Sequence, residues 1–124
     1  MNARTRTQQP GHGLPAHGCI SRDRLKTALA AAVADPVHAA HRLDEHSVDV
    51  YLSPNRLLSA FFWHRLSYVT ELVDWALRAG LAPPDEAFDL GGGSGLVSAL
   101  LAVRFRRVTL LDLDTTLART VLGE

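Results

Sequence analysis

Between Phe88 and Asp114 the chain sets Gly91-Gly92-Gly93-Ser94-Gly95 directly between two apolar runs. Four glycines in five positions cannot sit inside a regular helix or strand, because glycine gives up the most conformational freedom on ordering and gains most where φ is positive. Such a bend lets a chain leave a strand and enter a helix at once. Glu86 to Leu90 (EAFDL) accordingly reads as a short buried strand. Leu96 to Phe105 reads as a helix with Val97, Leu100 and Leu101 inward, and Val108 to Leu113 (VTLLDL) as a second strand. Asp114 or Thr115 is placed to cap a last helix through Leu122, which Gly123 ends. Strand, turn, helix, strand, helix is the opening of a parallel doubly wound α/β sheet.

Upstream, the pattern is helical. Residues 1–20 are rich in glycine, proline and polar residues and read as a disordered tail. Residues 21–84 form a helical region, and 85–124 the sheet-forming part. Ser21 is placed as the N-cap of a helix bearing Leu25, Ala28, Leu29, Ala32 and Val33 at helical spacing, closed at Asp35-Pro36. Residues 36–46 read as a weaker helix with His38, His41 and His46 on or near it; His38 and His41 share a face, read as a solvated polar face with ligands or acid/base groups as the alternative. The longest periodic segment runs from Ser53-Pro54 to Ala79, with Gly80 as its stop. Leu58, Phe62, Leu66, Val69, Val73 and Ala76 form its stripe, and Leu57, Phe61, Tyr68, Leu72 and Trp75 widen it. A stripe this wide calls for burial on more than one side: the sheet, and a partner subunit or substrate besides. Phe61, Phe62, Trp63 and Tyr68 read as core, with the roof of an aromatic acceptor pocket as the alternative.

Charge excludes some partners. Thirteen basic and thirteen acidic residues cancel, so no global field draws nucleic acid or an anionic membrane surface. No apolar run is long enough to span a bilayer. One cysteine, Cys19, forms no internal disulfide and suits a reducing cytoplasm. His12, His17 and Cys19 match no closed zinc pattern, so no metal site is expected.

A glycine bend opening a helix can seat a nucleotide-like ligand, since the main chain is uncovered and free N–H groups point outward. Dinucleotide sites favour G-x-G-x-x-G. Read from Gly91, its third glycine falls on Leu96, and the match fails. The pattern that fits is acid-x-G-x-G-x-G, namely Asp89, Gly91, Gly93 and Gly95. The stretch FDLGGGSGLVSALLAVRFRRVTLLDLD resembles the first nucleotide-binding motif and second strand of class I S-adenosylmethionine-dependent methyltransferases. It is most similar to the G-G-G-[ST]-G form found in O-methyltransferases of secondary metabolism. The resemblance covers residues 88–114 well and 54–84 loosely.

The resemblance implies a Rossmann-like cofactor domain and an enzyme that transfers a methyl group from S-adenosylmethionine to a small molecule. It implies that Gly91, Gly93 and Gly95 lie against the methionine and ribose parts, that Asp89 attracts the methionine ammonium, and that Asp112 accepts from the ribose hydroxyls. Asp112 lies 17 residues beyond Gly95, near the spacing of a ribose-binding acid, and Asp114 is the fallback. In such enzymes the adenine pocket, any general base and most acceptor contacts come from later strands, so no catalytic residue is assigned. With two strands recognisable, the sheet is incomplete. The chain reads as the front part of a methyltransferase, a remnant, or a subunit completed by a second polypeptide, and the expectation is that alone it binds cofactor weakly and methylates nothing. A homo-oligomer and a non-catalytic partner docking through its long apolar helix stand as alternatives, as does another nucleotide-binding α/β protein.

Overall fold

The structure is a computed structural model that describes residues 4–7, 20–36 and 46–123. Among these residues it is mixed α/β: five helices and a three-stranded sheet in the order β1-β3-β2. Strands β2 (Glu86–Leu90) and β3 (Arg107–Leu111) run parallel, joined by helix α4 (Leu96–Ala102). Strand β1 (Arg4–Thr7) pairs antiparallel with β3, where the sequence suggested only a tail. A four-residue strand needs little more than backbone groups to satisfy an open edge, and composition does not reveal that. The remaining residues of the tail and the weak helix expected over 36–46, with His38 and His41, lie outside the described residues apart from Ile20, Pro36 and His46.

Helix α1 (Arg22–Ala34) starts as expected, with the Ser21 hydroxyl accepting from the Arg24 N–H, and buries Leu25, Leu29 and Ala32. A short α2 (His46–Tyr51) leads into the long α3 (Arg56–Arg78). Asn55 caps α3, two residues later than expected: its Oδ1 accepts from the N–H groups of Leu57 and Leu58, while Ser53 Oγ accepts from Asn55 itself. At the other end the Gly80 N–H bonds Leu77 O and the Leu81 N–H bonds Ala76 O, a paired closure that satisfies two late carbonyls. Helix α5 (Thr116–Leu122) ends at Gly123 as expected.

The face that α3 buries keeps Leu66 and Val73 of the stripe expected and departs from it elsewhere. Ser59, Trp63 and Leu66 are buried, with Val73 and Leu77 packed against Leu101, Phe105 and Val108. Leu58 and Val69, expected inside, are exposed. The helix is apolar on nearly every side, so period alone cannot choose a face. Polar contacts do: Ser59 Oγ and Trp63 Nε1 both donate to the Tyr51 carbonyl, at 2.8 and 3.0 Å. On the same side of the molecule Asp74 takes both Arg104 Nε and Nη2, at 2.6 and 3.0 Å, tying α3 to the end of α4.

The main core joins Leu25, Leu29, Ala32, Trp63, Leu66, Leu96, Ala99 and Leu117, and so packs α1, α3, α4 and α5 together. Among the described residues, one face of the sheet carries the buried side chains. On it Asp89, Val108 and Leu110 are buried, whereas on the other Phe88 and Leu90 stand exposed, and β2 is not the fully buried strand expected. Among the described residues no helix is long and apolar enough to cross a membrane.

Candidate functional site

Parallel register builds the site. Leu90 is level with Leu111, and the Gly91 N–H extends the ladder to Leu111 O at 2.8 Å. The residues that follow the two strands, Gly91 onward and Asp112 onward, therefore emerge side by side. Gly91, Gly93 and Gly95 have φ of 71°, 49° and 76°, the left-handed region that side chains adopt only with strain. The Gly95 N–H bonds Gly92 O, which closes the bend, and Gly95 O accepts from Ala99 to start α4. A Cβ placed on Gly91 or Gly93 would meet nothing within 4 Å, so their conformation demands glycine while the space beside them is open. At Gly95 the neighbour is α5: a Cβ would lie 3.0 Å from that of Ala118.

Asp112 faces this bend. Its Oδ2 accepts from the Gly93 N–H at 2.7 Å, and its Oδ1 from Leu113 at 2.6 Å and Asp114 at 3.4 Å. Backbone donors thus hold the carboxylate against the glycines. Asp114, the fallback acid, is committed elsewhere: its Oδ1 accepts from the N–H and hydroxyl of Thr116 at the start of α5. Asp89 lies buried beneath the bend, where Ser98 Oγ donates to its Oδ2 at 2.7 Å. All five expected residues, Asp89, Gly91, Gly93, Gly95 and Asp112, meet at one corner.

Two further residues escaped the pattern. Gly92 occupies an unspecified position of acid-x-G-x-G-x-G, yet a Cβ there would come within 2.8 Å of both Asp89 Oδ2 and the Leu110 side chain. Ser98 is buried and holds the Asp89 carboxylate. Its position in the first turn of α4, on the side facing the strand, was the available signal.

No family model, curated protein or solved structure matches this chain.

A separate cavity of about 680 Å³ opens between α1, α3 and the far end of α4. Leu25, Trp63, Leu66, Leu100 and Val103 line it, with the Asp74–Arg104 pair at its edge. None of the five corner residues touches it, since it lies at the opposite end of α4 from the bend. Of the four aromatics read as core, with an acceptor roof as the alternative, Trp63 is buried and lines this cavity, whereas Phe61 and Tyr68 are exposed, neither in the core nor beside the cavity. The Arg104 hydrogen bond holds the Asp74 carboxyl below its ordinary range. Burial raises the Tyr51 hydroxyl, with Arg65 pulling the other way. Among the described residues no three metal-ligating side chains converge.

Proposed function

We propose that the corner formed by Asp89, Gly91, Gly93, Gly95 and Asp112 is an S-adenosylmethionine seat, and that the chain is a methyltransferase or the front part of one acting on a small-molecule acceptor. The observation that carries this reading is the convergence of two carboxylates on a bend in which four of five residues are glycine. Asp112 is bonded into the bend and Asp89 is buried beneath it. A corner that already holds two carboxylates disfavours a pyrophosphate and suits a ligand that brings an ammonium and hydroxyl groups. The open space beside Gly91 and Gly93 fits a ligand lying against the main chain.

In this reading Gly91 and Gly93 give room to the methionine and ribose parts. Asp112 accepts from the ribose hydroxyls while keeping its backbone donors. Asp89, oriented by Ser98, favours the ammonium. S-adenosylmethionine supplies an electrophilic sulfonium methyl. The chain's contribution at this corner is to bind and orient, and positioning is a large part of what lowers the barrier to such a displacement.

The test is titration of S-adenosylhomocysteine into the full chain, followed by nuclear magnetic resonance into the millimolar range. Shifts at Gly91–Gly95 and at Asp112 are expected. Asp112→Ala is expected to weaken binding about tenfold or more, the loss of one or two charge-assisted hydrogen bonds. No shift at the bend, or equal binding by the variant, defeats the proposal.

A further inference from the structure

Helix α3 carries two apolar stripes on opposite sides. The inner one, Ser59, Trp63, Leu66, Val73 and Leu77, is occupied by this chain's own core. The outer one runs Leu58, Phe61, Arg65, Tyr68, Leu72, Trp75 and Ala79, in steps that alternate three and four along the whole helix. That alternation is the seam by which two helices pair along their length. Its members are exposed: Phe61 by 61%, Tyr68 by 60%, Leu72 by 63% and Trp75 by 53%.

We propose that this outer seam is a self-association surface, on which α3 of a second copy of the chain packs antiparallel about a two-fold axis passing between Arg65 and Tyr68. Three features favour a second copy in that orientation.

Size is the first. A whole aromatic side chain covers roughly 150–250 Å², and each of Phe61, Tyr68 and Trp75 is a little over half exposed. With Leu57, Leu58 and Leu72 beside them, the three seam aromatics offer on the order of 600 Å² of apolar surface, the upper limit of what a monomer usually exposes. A standard interface takes about 800 Å² from each partner. A 23-residue helix pairing with itself reaches that with little added rim.

Self-complementarity is the second. In the antiparallel register Phe61 faces Leu72 of the other copy, Leu58 faces Trp75, and Arg65 faces Tyr68. Each contact occurs twice, as a two-fold interface requires. The one charged seam residue thus meets an aromatic face, where a guanidinium is held rather than stranded.

Charge is the third. Arg65 is the one cation of the seam and lies over its own Phe62 ring at 5.3 Å, while Tyr68 is hydrogen-bonded to His64. Antiparallel pairing adds the Tyr68 ring of the other copy to the contacts of Arg65, whereas parallel pairing sets Arg65 against Arg65 across the seam. Asp74 is taken by Arg104 and does not enter this balance.

The test is sedimentation velocity on the full chain at tens of micromolar, and it does not depend on any cofactor. The mass of two chains is expected. Phe61→Lys and Leu72→Glu, both at exposed positions, are each expected to raise the dissociation constant about tenfold or more while leaving the circular dichroism of the parent. Mixing the two variants is expected to restore the dimer, because the antiparallel register sets the new cation against the new anion. In a Cys19→Ser background, a mixture of Phe61→Cys and Leu72→Cys chains is expected to cross-link more readily than either alone. A chain that stays monomeric throughout overturns the proposal, as does a dimer indifferent to both substitutions. Loss without rescue on mixing, or cross-linking of Phe61→Cys with itself, overturns the antiparallel arrangement.

Discussion

The glycine corner and helix α3 are both well formed, yet they are determined in opposite ways. At the corner the backbone decides. Gly91, Gly93 and Gly95 stand at positive φ, and the side chains nearby fall where that path sends them. In α3 the backbone decides nothing, because an ordinary helix presents an apolar residue in almost every direction. There a few polar contacts, Ser59 and Trp63 to the Tyr51 carbonyl and Asp74 to Arg104, choose which stripe goes in. A constraint on φ is local and visible in composition. A choice among faces is settled by partners far away in the chain.

The strongest way to break this contrast is to truncate one tryptophan on each side of α3. Trp63→Ala removes a buried ring and its indole hydrogen bond, and is expected to lower stability by about 3–5 kcal/mol. Trp75→Ala, on the outer face, is expected to change it by less than about 0.5 kcal/mol. Urea unfolding at concentrations low enough to keep the chain monomeric measures both. Equal losses would mean that the inner and outer faces are misassigned.

At the corner, Gly95→Ala is expected to destabilise by about 2–4 kcal/mol, combining left-handed strain with crowding against Ala118. Gly91→Ala, in open space, is expected to lose only the strain, about 1–2 kcal/mol. The gap between the two, read from unfolding midpoints, isolates the packing of α5 on the bend. If the gap is absent, Ala118 is not seated against Gly95.

The smallest effect concerns the tie between α3 and α4. Asp74 is partly exposed, so solvent screening limits its pair with Arg104 to about 0.5–1 kcal/mol. Its carboxyl titrates lower in the fold than free, so this stability is complete above about pH 4, the ordinary carboxylate value, and is lost as pH falls through the lower native value. Thermal melts of the parent and of Asp74→Asn are expected to differ near neutrality and to converge in acid. A difference that persists in strong acid would assign the effect to shape rather than charge.

The same contrast explains what could be read in advance. Strand β2 over Glu86–Leu90, the bend, the ends of α5 and the meeting of Asp89 with Asp112 were all legible, because glycines and acids at fixed offsets leave few alternatives. Asp112 was preferred to Asp114 for the apolar run before it; in the structure Asp112 accepts from the Gly93 N–H and Asp114 from Thr116. Ser98 and Gly92 were missed because their roles exist only once Leu110 and Asp89 are packed beneath the bend. Trp63 was read as core and is buried, but Phe61 and Tyr68, read as core with it, are exposed, because only the indole N–H of Trp63 has a partner that selects its side of the helix. Strand β1 was missed because backbone pairing with an edge leaves almost no mark on a short polar sequence.

One feature of the sheet bears on how the chain behaves in a tube. Phe88 and Leu90 are bare on one side of β2, and the strand's outer border has no neighbour among the described residues. Unlike a helix pair, which is complete at two molecules, a bare strand border can accept a further strand indefinitely. Warming that loosens the helices would therefore convert a well-behaved sample into fibrous precipitate. A lysine introduced at Phe88 or Leu90 should raise the temperature at which light scattering begins, with the glycine bend untouched.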